Sequence, residues 1–338
     1  MHEAPPLPGD PPAPPFVYRD RRTGLVLFGV LEILIGVLCL LLAGFMVLGQ
    51  IMMSHTTGTP VSLRLVIPSV LSYFVFAVGF VWLGIGSTQC RRWSRALALI
   101  VAWLWLAMGV LMVPMMAYLM PRILANPGPG GQALPREAVA MIVVFQILFI
   151  GIFFILLPGT LLLFYRSPHV KSTCETRDPG PSWTDACPLP VLAIACLLYF
   201  GSAMMAVFAV TGFAIFPCFG TLVSGIPAII LMLGLAGPFF WIGRSCYRLN
   251  VAGWWALVIL ILTLSVSAVL TFARTDMVEM YEKMGYPQAQ IDLIRQQGWM
   301  DSRFMMWMSL IWIVPMLAYL LWAKRYFAKG DKVIGARG

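Results

Sequence analysis

Charged side chains are scarce in this chain of 338 residues. Asp, Glu, Lys and Arg together make up 11% of it, whereas the apolar residues make up 60%. Soluble domains have about 25% charged and about 45–50% apolar residues. A globule of this composition would lack the polar side chains that a surface in water needs. The scarcity excludes a soluble enzyme, a disordered chain and a disulfide-stapled secreted domain, and it predicts a protein that crosses a membrane many times.

Residues and motifs that carry catalysis are also few. The three histidines, His2, His55 and His169, lie outside the long apolar runs. The sequence contains no phosphate-binding loop, no dinucleotide fingerprint and no His-Glu-x-x-His zinc motif. We therefore expect a protein that is not an enzyme and that holds no cofactor.

Long apolar runs, in contrast, are abundant. A helix needs about 20 apolar residues to cross a hydrocarbon core of about 30 Å, and because lipid cannot satisfy an open backbone, each such run must be helical. The expected fold class is an all-α integral membrane protein with eight transmembrane helices. The eight runs are residues 24–49, 65–87, 96–120, 138–165, 189–215, 221–243, 252–273 and 304–324.

The basic residues predict the orientation of these helices. The net charge is +9, and most of the 23 Lys and Arg residues fall in alternate loops, on one side of the membrane. The positive-inside rule then places both termini in the cytoplasm, in a cytoplasmic membrane of prokaryotic type. Because the basic residues lie in short loops between spans, they do not indicate a nucleic-acid partner.

Two halves of the sequence share motifs at the same spacing. Pro68 precedes Trp82 by 14 residues, and Pro227 precedes Trp241 by the same interval. Each tryptophan begins a Trp-x-Gly motif that is followed by a cysteine and an arginine. Since four spans is an even number, two such units must have the same orientation, related by an axis along the membrane normal. The motifs predict two tandem four-helix units in parallel orientation.

These patterns divide the chain into five parts. The second four-span unit includes an outer helical hairpin at residues 275–298, in which Thr275 or Asp276 is the candidate N-cap. The parts are a disordered Pro-rich cytoplasmic tail (1–23), the first four-span unit (24–165), a cytoplasmic linker (166–188), the second four-span unit (189–325) and a basic cytoplasmic tail (326–338).

The linker carries the residues that could suggest a metal site. His169, Cys174 and Cys187 have the right chemistry for zinc. However, no Cys-x-x-Cys pair is present and a fourth ligand is not evident. An ordered polar linker is the favoured interpretation, and no metal site is predicted.

Glu32 is the only acidic residue within the eight apolar runs. A carboxylate at membrane depth costs about 2.5 kcal/mol or more, so it needs a partner. Gly29 and Gly36 lie on the same helix face as Glu32 and would let another helix approach closely, which directs Glu32 into the bundle. Its depth, about 12 Å at 1.5 Å per residue, suggests a polar cluster with Tyr73, Gln146 and Tyr199.

Two interpretations of Glu32 remain open. In the first, it is a hydrogen-bonded clamp between helices, and the protein is a non-enzymatic membrane component that contacts lipids or a membrane-protein partner. In the second, it is a protonatable coupling site in a small-solute or ion transporter, which predicts a mid-membrane cavity. The basic cluster Arg91, Arg92 and Arg95, beside Trp93, is expected to contact anionic lipid headgroups.

Overall fold

Among the residues that the computed structural model describes, eight helices are long and apolar enough to cross a membrane. This agrees with the multi-pass helical class expected from composition. The structure describes residues 18–57, 63–125, 135–211, 214–286, 288, 291, 292, 295 and 302–334. The eight candidate spans are Arg22–Met52, Val66–Thr88, Arg92–Pro121, Arg136–Arg166, Leu189–Val210, Ile226–Tyr247, Val251–Phe272 and Ser309–Phe327.

Several of the helices extend beyond the apolar spans. The last helix, for example, continues nearly to the end of the chain and includes most of the predicted basic tail at 326–338. The helices are α1 (Arg22–Thr57), α2 (Leu63–Thr88), α3 (Arg92–Ala125), α4 (Arg136–Gly151), α5 (Leu157–Arg166), α6 (Pro168–Arg177), α7 (Leu189–Val210), α8 (Ile226–Tyr247), α9 (Val251–Phe272), α10 (Met277–Met284) and α11 (Ser302–Ile334).

The fourth span is a continuous rod with a π-helical turn, Ile152–Leu156, between α4 and α5. Pro158 lies just after this turn. A proline has no backbone N–H, so the carbonyl of Phe154, four residues earlier, loses its usual helical donor. Gly109 of α3 packs directly against that carbonyl, where a Cβ atom would not fit. The irregular turn and the glycine together allow α3 and the fourth span to touch.

A short β-hairpin joins α7 to α8, a local element that the expected all-α class did not include. Strands β1 (Ile215–Cys218) and β2 (Thr221–Ser224) pair antiparallel. Their two-residue turn, Phe219 and Gly220, has positive φ at both positions, as tight hairpin turns require. Hydropathy extended the spans into this segment (to 215 and from 221) because the strands are as apolar as the helices that flank them.

Each half of the chain begins with two helices in close antiparallel contact, α1 with α2 and α7 with α8. In the first half a Cβ at Gly29 would lie 2.7 Å from the carbonyl oxygen of Gly84, and one at Gly36 would lie 2.7 Å from Cγ2 of Val81. The two backbones therefore touch at glycines. The third span of each half then packs against the fourth, α3 against α4 and α5, and α9 against α11.

The second and third spans of each half meet at a tight corner. Cys90 ends the turn after α2 and Leu249 ends the turn after α8, each with φ of 57°. In both corners the amide of this left-handed residue donates to the carbonyl three residues back, and the next amide donates to the carbonyl five residues back, at 2.8–3.1 Å. These paired bonds satisfy carbonyls that the helix end would leave open.

The segment after α9 folds into a short helix beside the β-hairpin. Asp276 caps α10 by accepting a hydrogen bond from the amide of Glu279 at 2.9 Å, and Gly285 ends the helix in the left-handed conformation. Lys283 donates to the carbonyl of Leu222 at 2.7 Å, which ties α10 to the β-hairpin. The predicted second helix of the outer hairpin, about 287–297, lies mostly outside the described residues, as do the Pro-rich segment 1–17 and the loop 126–134.

Candidate functional site

Glu32 faces the interior of the first half and is only 2% exposed. Its carboxyl group and two hydroxyl groups form a closed hydrogen-bonded ring of three side chains. Ser87 Oγ donates to Glu32 Oε2 at 2.8 Å, the Tyr165 hydroxyl lies 3.0 Å from Glu32 Oε1, and the same hydroxyl lies 2.8 Å from Ser87 Oγ. Both carboxyl oxygens of the buried acid are therefore hydrogen-bonded.

Three different spans supply this ring, which we call the Glu32 ring. Glu32 comes from α1, Ser87 is the next-to-last residue of α2, and Tyr165 is the next-to-last residue of α5. The ring therefore lies toward the end of the bundle that also carries the linker. It connects the first, second and fourth spans through side chains alone.

Hydrogen atoms can be counted around the ring. Its three oxygen–oxygen contacts need three protons if each is to be a hydrogen bond. Ser87 and Tyr165 contribute one proton each, and a neutral carboxylic acid contributes the third. With an ionised Glu32, only two of the three contacts hold a proton. The ring is thus complete as a cycle of donors when the acid carries its proton, and such a cycle needs no solvent to satisfy it.

The partners suggested by membrane depth, Tyr73, Gln146 and Tyr199, are not brought to Glu32. Gln146 donates weakly to Met116 Sδ at 3.9 Å. The Tyr199 ring packs on Phe240, with ring centroids 5.2 Å apart. The contact of Gly29 with Gly84 sets the register of α1 on α2, so Glu32 reaches the end of α2. Tyr73 is 14 residues before Ser87, about 21 Å along the helix at 1.5 Å per residue.

Sequence reasoning missed Ser87 and Tyr165. Both lie at the ends of apolar runs, where polar side chains normally meet the membrane interface. The only signal that bears on them is the pair of flanking glycines at 29 and 36. These predict a close helix partner for Glu32, but not which residue of that partner lies opposite.

A cavity of about 330 Å³ lies at the α1–α2 surface, and none of the three residues of the Glu32 ring lines it. Its walls are apolar, so it offers no donor or acceptor to a polar solute. The lining residues are Leu40, Phe74, Ala77, Val78, Val81, Trp82 and Ile85.

Arg91 and Arg92, which are expected to contact lipid headgroups, bind carboxylates of the linker. Arg91 Nη1 lies 3.5 Å from Asp178 Oδ1. Arg92 Nη2 lies 3.3 Å from Asp185 Oδ2 and 3.7 Å from Glu175 Oε1. The linker folds back over the start of α3 and supplies acidic partners for these arginines. The sequence did not predict these contacts because the partners are far apart along the chain.

Arg95 and the residues before α1 complete this packing. Arg95 Nε donates to the carbonyl of Tyr165 at 3.1 Å, directly behind the Glu32 ring. Arg177 of α6 binds Asp20 at 2.9 Å, and this hydrogen bond lowers the pKa of the Asp20 carboxyl. The amide of Arg21 donates to Thr173 Oγ1 at 3.1 Å. The linker therefore holds both the start of α1 and the start of α3.

The linker cysteines are buried in separate places. Cys174 packs with Leu25 and Tyr165 in the core of the first half, whereas Cys187 packs with Ile100 and Leu192. Burial raises the pKa of each thiol to about 12. A metal binds the thiolate, so burial disfavours these thiols as ligands. Within the described residues, no group of three or more His, Cys, Asp and Glu side chains could hold a metal ion.

The Glu32 ring is thus a closed polar contact inside an apolar bundle, braced from behind by Arg95 and the linker. Its chemistry is that of an interhelical clamp: hydroxyl and carboxyl groups that satisfy one another. Comparisons with protein families, with curated proteins and with solved structures find no match to this chain.

Proposed function

We propose that this multi-pass membrane protein is a non-enzymatic membrane component that contacts lipids or protein partners, and that Glu32 is its internal clamp. The observation that carries the proposal is the closed ring around Glu32. Both carboxyl oxygens bind hydroxyl groups of the same bundle, and the residue is 2% exposed. A coupling site in a transporter has to exchange protons or ions with a solvated path, whereas the contacts of Glu32 are with packed side chains.

We propose further that the chain is a tandem repeat of two parallel four-span units. Gly84 packs on α1 at Ile33, and Gly243, 159 residues later, packs on α7 at Leu198. The left-handed corner residues Cys90 and Leu249 are separated by the same 159 residues and have the same hydrogen-bond pattern. This constant spacing, together with the shared order of helix contacts, supports duplication.

The two units of the proposed repeat differ at the position of Glu32. Because Gly84 contacts Ile33 and Gly243 contacts Leu198, the position of α7 equivalent to Glu32 is Leu197, at a separation of 165 residues rather than 159. The clamp therefore belongs to one unit only. We propose that the clamp arose in the first unit, where the linker and Arg95 support the end of the bundle. We also propose that the protein lies in a cytoplasmic membrane, with both termini on the cytoplasmic side.

Reconstituted protein tests the choice between clamp and transport site. We expect purified protein in liposomes with an imposed proton or ion gradient to show the same flux for wild type and for Glu32→Gln. Glu137→Gln, which removes an exposed carboxylate at the start of α4, is the matched control. A gradient-driven flux that Glu32→Gln abolishes and Glu137→Gln leaves intact would overturn the clamp and establish a transporter.

A further inference from the structure

The second half of the chain ends in cations that lack carboxylate partners. Arg244 and Arg248 lie at the end of α8, Lys324 and Arg325 lie in α11, and all four are exposed. Among the described residues, none of the four forms an ion pair with an acidic side chain. The sequence explains this, because it has no Asp or Glu at 186–275 or at 302–330.

Aromatic rings hold two of these cations in place. Lys324 Nζ lies 4.9 Å from the ring centroid of Trp254 and 4.9 Å from that of Trp255. The guanidinium carbon of Arg325 lies 4.2 Å from the Trp322 ring and 4.9 Å from the Tyr326 ring. Cation–π contacts of this length fix the positions of the charges. They also leave most N–H donors of both groups available for an anion.

The same rings place the cations at the depth of lipid headgroups. Trp255 and Trp322 are 50% and 44% exposed, within five residues of the ends of the apolar spans Val251–Phe272 and Ser309–Phe327. Exposed tryptophans at span ends lie at the boundary between acyl chains and headgroups. Trp254 is buried and donates to the carbonyl of Leu320 at 3.1 Å, which makes the platform rigid.

The first half provides an internal comparison. It too has arginines at the corresponding end, but Arg91 and Arg92 are bound to linker carboxylates. The linker carboxylates pair with Arg91 and Arg92, whereas the four cations of the second half have no carboxylate partner among the described residues.

We propose that the end of the second unit formed by Lys324, Arg325, Trp255 and Trp322 binds the phosphate of an anionic phospholipid headgroup. The inference rests on the proposed function, since it specifies which lipid class the protein contacts and where. A lipid fits this surface better than an acidic protein does, because the tryptophans beside the cations face the apolar phase. The ammonium and guanidinium groups supply the charge, and the rings pack against the first methylene groups of the acyl chains.

Lipid retention by the full-length protein tests this site. The protein is reconstituted in nanodiscs of phosphatidylcholine mixed with phosphatidylglycerol, and the lipids that remain bound are counted by native mass spectrometry. Wild type should retain phosphatidylglycerol preferentially. Lys324→Gln/Arg325→Gln should lower this preference by about 25-fold, because each cation near an anionic surface contributes a factor of roughly five to affinity. Arg91→Gln/Arg92→Gln, with the same change in charge, should keep it.

Further measurements guard against misfolding and against a different ligand. Lys324→Arg/Arg325→Lys keeps both charges and should keep the preference, and raising the ionic strength should weaken retention by wild type. Glycerol 3-phosphate should not compete, since it lacks acyl chains.

Equal retention of both lipids by wild type, an equal loss in the two Gln double variants, or full competition by glycerol 3-phosphate would overturn the site. None of these outcomes bears on the flux test of Glu32. Binding of an acidic peptide in place of lipid would overturn it as well.

Discussion

Glu32 alone would destabilise a helix in the membrane, but its hydrogen-bond partners in the fold offset that cost. A carboxyl group in hydrocarbon is costly because nothing there replaces water. Ser87 and Tyr165 replace it within 3.0 Å, and the three groups satisfy one another. The stability of the first unit should thus depend on the donor and acceptor pattern at position 32 more than on its charge.

Two substitutions at position 32 distinguish the effect of the hydrogen-bond pattern from the effect of side-chain volume. Glu32→Gln keeps an acceptor, a donor and nearly the same volume, and should cost about 1 kcal/mol of unfolding free energy or less. Glu32→Ala leaves a cavity beside two hydroxyl groups that lose a partner, and should cost about 3 kcal/mol. Unfolding of the detergent-solubilised protein in a denaturant series measures both. Equal costs for the two variants would contradict the ring.

The burial of Glu32 could be predicted from sequence, whereas its partners could not. The 3–4 spacing of Gly29, Glu32 and Gly36 defines one face and the small residues that face a neighbour. The register of that neighbour depends on which glycine carbonyl meets which glycine. A shift of about four turns, the 14 residues between Tyr73 and Ser87, changes the partner without altering hydropathy.

At the scale of helices, the α1–α2 pair is held by backbone contact at glycines. A Cβ at Gly84 would strike the carbonyl oxygen of Gly29 and approach the amide of Ile33 to 2.9 Å. Gly79, in the same helix, has nothing within 4 Å of such an atom. The two positions therefore form a natural pair for measuring how much this close approach contributes.

We expect Gly84→Ala and Gly79→Ala to change stability in opposite directions. Alanine favours a helix over glycine by about 1 kcal/mol, which Gly79→Ala should gain in part. Gly84→Ala must push two backbones apart and should cost about 1–3 kcal/mol instead. Thermal unfolding of the two variants in one detergent gives the comparison. A stabilised Gly84→Ala would show that the helices do not meet there.

The eight spans could be predicted as elements because length and apolarity alone define them. The β-hairpin could not, since residues 215–224 continue the apolar run of the helix before them. Its formation depends on Ser267 and Thr271 of α9, which accept hydrogen bonds from the two turn amides at 3.0 Å. These partners are about 50 residues away in sequence, beyond the reach of any local pattern.

At the scale of the whole molecule, an even number of spans requires that both chain ends lie on one side of the membrane. The excess of Lys and Arg in alternate loops predicts that this side is the cytoplasm. The linker, residues 166–188, connects the fourth span to the fifth. Its acidic residues, Asp178 and Asp185 among them, bind arginines of the first unit.

Reporters of membrane sidedness test this topology. Reporters fused at residue 1 and at residue 338 should both be active only in the cytoplasm, and one inserted in loop 126–134 should be active only outside. Reporters at the two ends that give opposite results would exclude an even number of spans. Reporters at both ends that are active outside would reverse the proposed orientation.

The contact of α1 with α2 also has a consequence for biosynthesis. The ribosome delivers these two helices one after the other, so they can close as a hairpin while α3 is still being made. Glu32 then meets Ser87 at once, but Tyr165 arrives only with the fourth span. Until the fourth span is inserted, the Glu32 carboxyl group therefore lacks its contact with the Tyr165 hydroxyl. The hydrogen-bonded cycle is therefore complete only after the first, second and fourth spans have all been inserted and packed together.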